Sequence, residues 1–161
     1  MLNFRTSREH AIDLEAVIKW LRQRAPVPVS LVGISMGTVS AANAAARLGS
    51  RGPDGLVLIS SVTQTHPSMG ESLRDVSLEK VTVPTVVIHH RSDLCETTPY
   101  DAASKLPTRP AATRRAELIT LEGGSLPRGF PCSAESFHGF FGLEDVLIDR
   151  LASSIKRTPV P

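Results

Sequence analysis

Residues Val29-Ser30-Leu31-Val32-Gly33-Ile34-Ser35-Met36-Gly37 form an apolar strand pattern that runs straight into Gly-x-Ser-x-Gly. An alanine-rich helical stretch follows at once, from about Thr38 to Leu48. A chain that turns from strand to helix in so few residues must strain the serine at the turn. Glycine is needed where the two elements close on each other, so side chains at Gly33 or Gly37 are expected to collide with the adjoining strand and helix. The pattern therefore constrains fold and chemistry together: a strand, an exposed serine and a helix whose N-terminus points at it.

The rest of the chain alternates in the same way. Ser7 stands as an N-cap, and Ala11, Leu14, Val17, Ile18 and Leu21 recur at helical spacing to about Arg24. Pro26 and Pro28 end that helix and the strand Val29 to Gly33 follows. Gly49 and Gly52-Pro53 signal turns, after which Gly55 to Ser60 is an unbroken apolar strand. Residues 61–80 are polar and irregular, with a short helix expected near Ser72 to Leu78 and a choice between a small cap and an ordinary loop for Thr63 to Ser77. Thr85 to His89 is the next strand, Tyr100 to Leu106 a short helix, Pro107 to Arg114 a linker, and Ala116 to Leu121 a further strand. A long loop from Glu122 to Gly139 leads to a last amphipathic helix. Its apolar face is Leu143, Val146, Leu147, Leu151 and Ile155, with Glu144 and Asp145 in the first turn where the helix dipole favours them. Strands that are apolar throughout, rather than alternating, suit a parallel sheet covered on both faces. The expected fold is α/β, a three-layer α/β/α sandwich with a mostly parallel sheet, in one domain over residues 1–161.

Composition narrows the function classes. With 41% hydrophobic and 21% charged residues the chain can bury a real core, and its net charge of +2 comes without a basic block or an aromatic-basic stripe. Nucleic acid is therefore not an expected partner. No apolar run approaches membrane-spanning length. The first ten residues lack the basic-then-apolar pattern of a signal peptide, which leaves the compartment open.

In parallel α/β sheets function gathers at the carboxyl ends of the strands. The first strand ends at Ser35, the third at His89-His90-Arg91-Ser92-Asp93-Leu94-Cys95, and the loop after the fourth holds Phe137-His138-Gly139-Phe140-Phe141. Serine is a weak nucleophile, so an imidazole must take its proton, and a carboxylate must fix that imidazole's tautomer. Ser35, Asp93 and His138 supply those three types. The Met36 N–H, at the N-terminus of the following helix, would be an oxyanion donor.

These stretches, together with Cys132-Ser133-Ala134-Glu135-Ser136-Phe137-His138-Gly139-Phe140-Phe141-Gly142, resemble an uncharacterised and often exported bacterial branch of the α/β-hydrolases. The resemblance covers nearly all of the chain and corresponds to the C-terminal half to two-thirds of such an enzyme. It implies a serine hydrolase, carboxylesterase-like, with Ser35 as nucleophile, Asp93 as acid and His138 as base, acting on a small-molecule acyl substrate without a cofactor. α/β-hydrolases carry four strands before the helix that precedes the serine strand, and only about ten residues stand there in this sequence. The expectation is a truncated version of a longer parent. Its serine strand would form a sheet edge open to self-association, and its oxyanion site would lack the second donor.

Other readings of these residues compete. Glu96 would replace Asp93 if Asp93 faced away. Among the remaining histidines, His10 falls on the first helix, and His66 does not follow the last strand. His89 and His90 lie close to Asp93 on one strand end and point to opposite faces. That divergence also weighs against a metal site made of His89, His90, Asp93 and Cys95. Cys95 and Cys132 flank the acid and the base, whose loops must meet if the two touch, so a Cys95–Cys132 disulfide is expected, against two unrelated thiols. Such a bridge implies an oxidising compartment. Phe130, Phe137, Phe140 and Phe141 either line an acyl pocket or pack the loop–helix junction. On function, the rivals are an acyltransferase or thioesterase on the same residues, and an inactive fragment that serves only as a binding or assembly subunit.

Overall fold

The computed structural model describes residues 3–66, 70–108 and 116–157. Four strands, β1 (Ser30–Ile34), β2 (Gly55–Ile59), β3 (Thr85–His90) and β4 (Ala116–Leu121), form one parallel sheet in the order β1-β2-β3-β4. Helices α1 (Arg8–Arg22) and α2 (Gly37–Leu48) cover one face, and α4 (Glu144–Lys156) covers the other. The short α3 (Tyr100–Ala103) follows β3.

The period-2 geometry of a strand explains why the strands read as apolar throughout. In β2, Leu56 and Leu58 pack with Val39, Ala42 and Ala45 of α2, while Val57 and Ile59 pack with Ile88, Leu121 and Phe140 beneath α4. The alanines let α2 lie close on the sheet. Ser7 caps α1 as the sequence suggests, its side chain accepting from the His10 amide at 3.1 Å.

Three expectations change. Residues 73–75 and 78–80 form two 3₁₀ turns rather than a helix, and Leu73 and Val76 are buried against α2, so this stretch is part of the core. On α4 the packing face is narrower than expected: Leu143, Leu147 and Leu151 contact the sheet while Val146 and Ile155 are exposed. Leu106–Thr108 form a 3₁₀ turn instead of continuing α3, and most of the expected linker, 109–114, lies outside the described residues. β1 is an edge strand, and its Val32 and Ile34 are 39% and 54% exposed on the face that α4 leaves uncovered. No helix among the described residues is long and apolar enough to cross a membrane.

Candidate active site

Ser35 stands between β1 and α2 with φ +50°, a left-handed conformation that a residue with a Cβ seldom adopts. Its amide donates to the Ile59 carbonyl of β2 at 2.9 Å, and its carbonyl accepts from the Thr38 amide (2.9 Å) and the Thr38 hydroxyl (2.6 Å). The Thr38 oxygen in turn accepts from the Val62 amide at 3.2 Å. The turn is thus tied to the neighbouring strand end on both sides, which offsets strain of about 1–3 kcal/mol. The Met36 amide, at the start of α2, has no acceptor among the described residues.

The glycines of the motif separate. A Cβ at Gly33 would lie 2.6 Å from the Gly37 carbonyl carbon and 2.7 Å from the Thr38 Cα, so the strand can meet the helix only without it. A Cβ at Gly37 would meet nothing within 4 Å, which corrects the expected collision there. Gly33→Ala is accordingly expected to lower stability by about 1–3 kcal/mol. Gly37→Ala should leave it within about 0.5 kcal/mol. Equal urea midpoints for the two variants would contradict this assignment.

Asp93 and His138 come together. His138 Nδ1 lies 3.1 Å from Asp93 Oδ2, and both side chains are buried. Thr98 stands between them: its hydroxyl donates to Asp93 Oδ2 at 2.8 Å and its oxygen is 3.0 Å from His138 Nδ1. The other carboxylate oxygen, Oδ1, accepts from the Cys95 amide at 2.9 Å. Burial pushes the Asp93 carboxyl up, but hydrogen bonds from His138, His89 and the Cys95 amide together outweigh it and hold the carboxyl well below the usual range. Asp93 is therefore an ionised acceptor, and His138 presents Nδ1–H to it, leaving Nε2 as the basic nitrogen.

The His138 backbone is fixed as firmly as its ring. Its carbonyl accepts from the Ser60 hydroxyl at 2.7 Å, and its amide donates to Ser136 Oγ at 3.1 Å. Ser60 follows β2 directly with φ +47°, a second left-handed serine at the strand end beside Ser35. Nothing in its surroundings in the sequence marks it, nor Thr98, as part of the site.

The competing readings resolve from contacts. Glu96 is exposed and pairs with His66 at 3.2 Å. His10 lies on α1, its ring centroid 4.6 Å from that of Phe4. His90 turns away from Asp93, bonding the Gly123 carbonyl at 3.1 Å and stacking on Phe137 with ring centroids 4.5 Å apart. Cys95 is bonded to Cys132, with Cα atoms 4.7 Å apart, and so is no metal ligand. Among the phenylalanines, Phe140 is buried in the core and Phe137 packs on His90, while Phe130 is exposed.

No family model matches the sequence, and no curated protein matches it at significant similarity. Solved structures do match in shape. One structure from the metagenome-derived lipolytic enzymes LipS and LipT is matched at a TM-score of 0.65 and 14% identity over 91% of this chain and 72% of that one. The esterase EaEST from Exiguobacterium antarcticum is matched at 0.58 and 16%, over 94% of this chain and 75% of that one. An alpha-beta serine hydrolase homologue from Coxiella burnetii is matched at 0.57 and 16%. The fold is that of the α/β-hydrolases. This chain spans 58% of the Coxiella protein's length and 92% of its own in that match. Within this α/β-hydrolase fold, Ser35 stands at the end of β1, Asp93 beyond the end of β3, and His138 in the loop after β4.

Proposed function

We propose that this chain is a serine hydrolase that cleaves an ester or a related acyl bond. The observation that carries the reading is the 3.1 Å pairing of ionised Asp93 with His138 Nδ1 at the sheet edge where Ser35 stands on a strained turn. Ser35 Oγ attacks the substrate carbonyl as its proton passes to His138 Nε2. Asp93 holds the imidazole in the required tautomer and stabilises the imidazolium. The Met36 N–H donates to the oxyanion, the imidazolium returns its proton to the leaving alcohol, and water then releases the acyl group by the same path. The lipolytic and esterase activities of the matched structures favour an ester over an amide. An acyl acceptor other than water, or a thioester substrate, would use the same residues.

One observation favours a second reading. The exposed Val32 and Ile34 on edge strand β1 suit an assembly subunit that pairs through that edge. A fluorophosphonate probe, which reacts with activated serines, separates the two. The hydrolase reading expects the folded protein to label, and Ser35→Ala to abolish labelling. Folded wild-type protein that does not label would overturn it and leave the assembly role.

A further inference from the structure

Asp93 faces two histidines, and the mechanism above uses one of them. The other is His89, fully buried at the end of β3. Its Nε2 lies 2.9 Å from the Thr98 carbonyl oxygen and 3.2 Å from Asp93 Oδ2. A carbonyl and an ionised carboxylate can only accept, so Nε2 must carry the hydrogen and share it between them. The opposite nitrogen, Nδ1, is then a bare acceptor, and it is buried without a hydrogen-bond partner among the described residues. Leaving a buried acceptor unpartnered is unfavourable, and a hydrocarbon side chain of similar size would avoid it. The disadvantage makes sense where the Nε2–H does something a hydrocarbon cannot.

That nitrogen donates to the same oxygen, Oδ2, that receives His138 Nδ1 and the Thr98 hydroxyl. We propose that His89 is a positioning residue: it clamps Asp93 Oδ2 together with His138, so that the carboxylate orienting the base is itself held by two imidazoles. By bonding the Thr98 carbonyl as well, His89 fixes the residue whose hydroxyl bridges Asp93 and His138. The other ionisable groups around this clamp are engaged elsewhere. Tyr100 presents its ring edge to His89 at 6.0 Å and bonds Thr120 through its hydroxyl, and Arg91 lies over the Tyr100 ring. Glu96 pairs outward with His66, and His90 faces the other side of the sheet.

The catalytic consequence rests on the triad reading, whereas the clamp can be read from how His138 titrates. Without the His89 N–H, negative charge concentrates on the oxygen that faces His138, which favours the imidazolium. In His89→Leu the His138 titration should therefore move up by about 0.5–1 pH unit. The acid limb of kcat/KM for an ester substrate should move with it. His89→Gln keeps an N–H donor and should restore both towards the wild-type values. Histidine-selective ¹⁵N NMR of the wild-type, Gln and Leu proteins tests this directly. Support is an Nε2–H tautomer for His89 in the wild type, with His138 raised in the leucine variant alone. An Nδ1–H tautomer for His89, or identical His138 titrations in all three proteins, would overturn it. If His89→Leu does not fold, the wild-type tautomer decides, because an Nδ1–H histidine cannot hold Asp93. Failure of the wild type to label with fluorophosphonate would sink the hydrolase reading without touching this measurement.

Discussion

Asp93→Asn is expected to lower ester turnover by about 10⁴-fold while the protein remains folded. The reason lies in what surrounds the carboxylate. Oδ2 receives His138 Nδ1–H, His89 Nε2–H and the Thr98 hydroxyl, three donors on one oxygen. An amide nitrogen turned to that side meets only donors. His138 can then satisfy it by moving its hydrogen to Nε2, the nitrogen that accepts the Ser35 proton in the proposed mechanism, and in that tautomer it is no longer a base. Hydrolysis of p-nitrophenyl acetate, with fluorophosphonate labelling rate as a substrate-independent check, measures the loss. A variant within about tenfold of wild type would remove Asp93 from the mechanism, since a misplaced tautomer cannot leave so much activity.

The same substitution fixes a pH dependence whose sign follows from the depressed carboxyl. A carboxylate that titrates lower in the folded protein stabilises it wherever the unfolded group would be ionised, above about pH 4. That stabilisation fades as the pH falls below the unfolded value towards the folded one. The difference in urea stability between wild type and Asp93→Asn should thus narrow as the pH falls below about 4, where the unfolded carboxyl takes up its proton before the folded one. A difference that does not narrow in that acid range would contradict the depressed carboxyl.

The strand–serine–helix element was legible because its constraints are local. The apolar run, the glycine at position 33 and the alanine-rich helix are read within about twenty residues, and the structure differs only in leaving room at Gly37. The long-range part of the site was legible only in outline. Reading adjacent strand residues as pointing to opposite faces holds for His89 and His90, yet nearness in sequence does not keep His89 from Asp93. The turn closed by the Asp93 amide on the His90 carbonyl at 3.2 Å folds the carboxylate back over His89. Thr98 and Ser60 are less accessible still, because their partners on the base loop lie 40 and 78 residues away. Their roles come from tertiary placement, and Ser and Thr fill so many local roles that nothing distinguishes these two. The four phenylalanines show the same limit: aromatic composition marks a junction, and only contacts say that Phe140 fills the core and Phe137 pairs with His90.

Opening the Cys95–Cys132 bridge is expected to lower stability by on the order of 3–4 kcal/mol, from the loop entropy restored to the unfolded chain over a separation of 37 residues. For a small domain with a urea m-value of about 1.5–2 kcal/mol/M this moves the midpoint down by about 2 M. The comparison is between oxidised protein and a Cys95→Ala/Cys132→Ser double variant, which leaves no free thiols. An unchanged midpoint, or free thiols in unreduced wild-type protein, would contradict it. Position suggests that the bridge also acts in the native state. The Cys95 amide holds Asp93 Oδ1, while Cys132 sits in the loop where the Ser136 hydroxyl, accepting from the His138 amide, donates towards the Pro131 and Ser133 carbonyls. The residues from Glu122 to Leu143 contain no helix or strand, so the bridge is the covalent tie that sets their distance from the Asp93 turn. A cycle with Asp93→Asn separates the two contributions. If the bridge acts through the unfolded chain alone, its stability loss adds to that of Asp93→Asn. If it also aligns the acid and the base, the two losses share a cause, and the double change should fall short of their sum by about 0.5–3 kcal/mol.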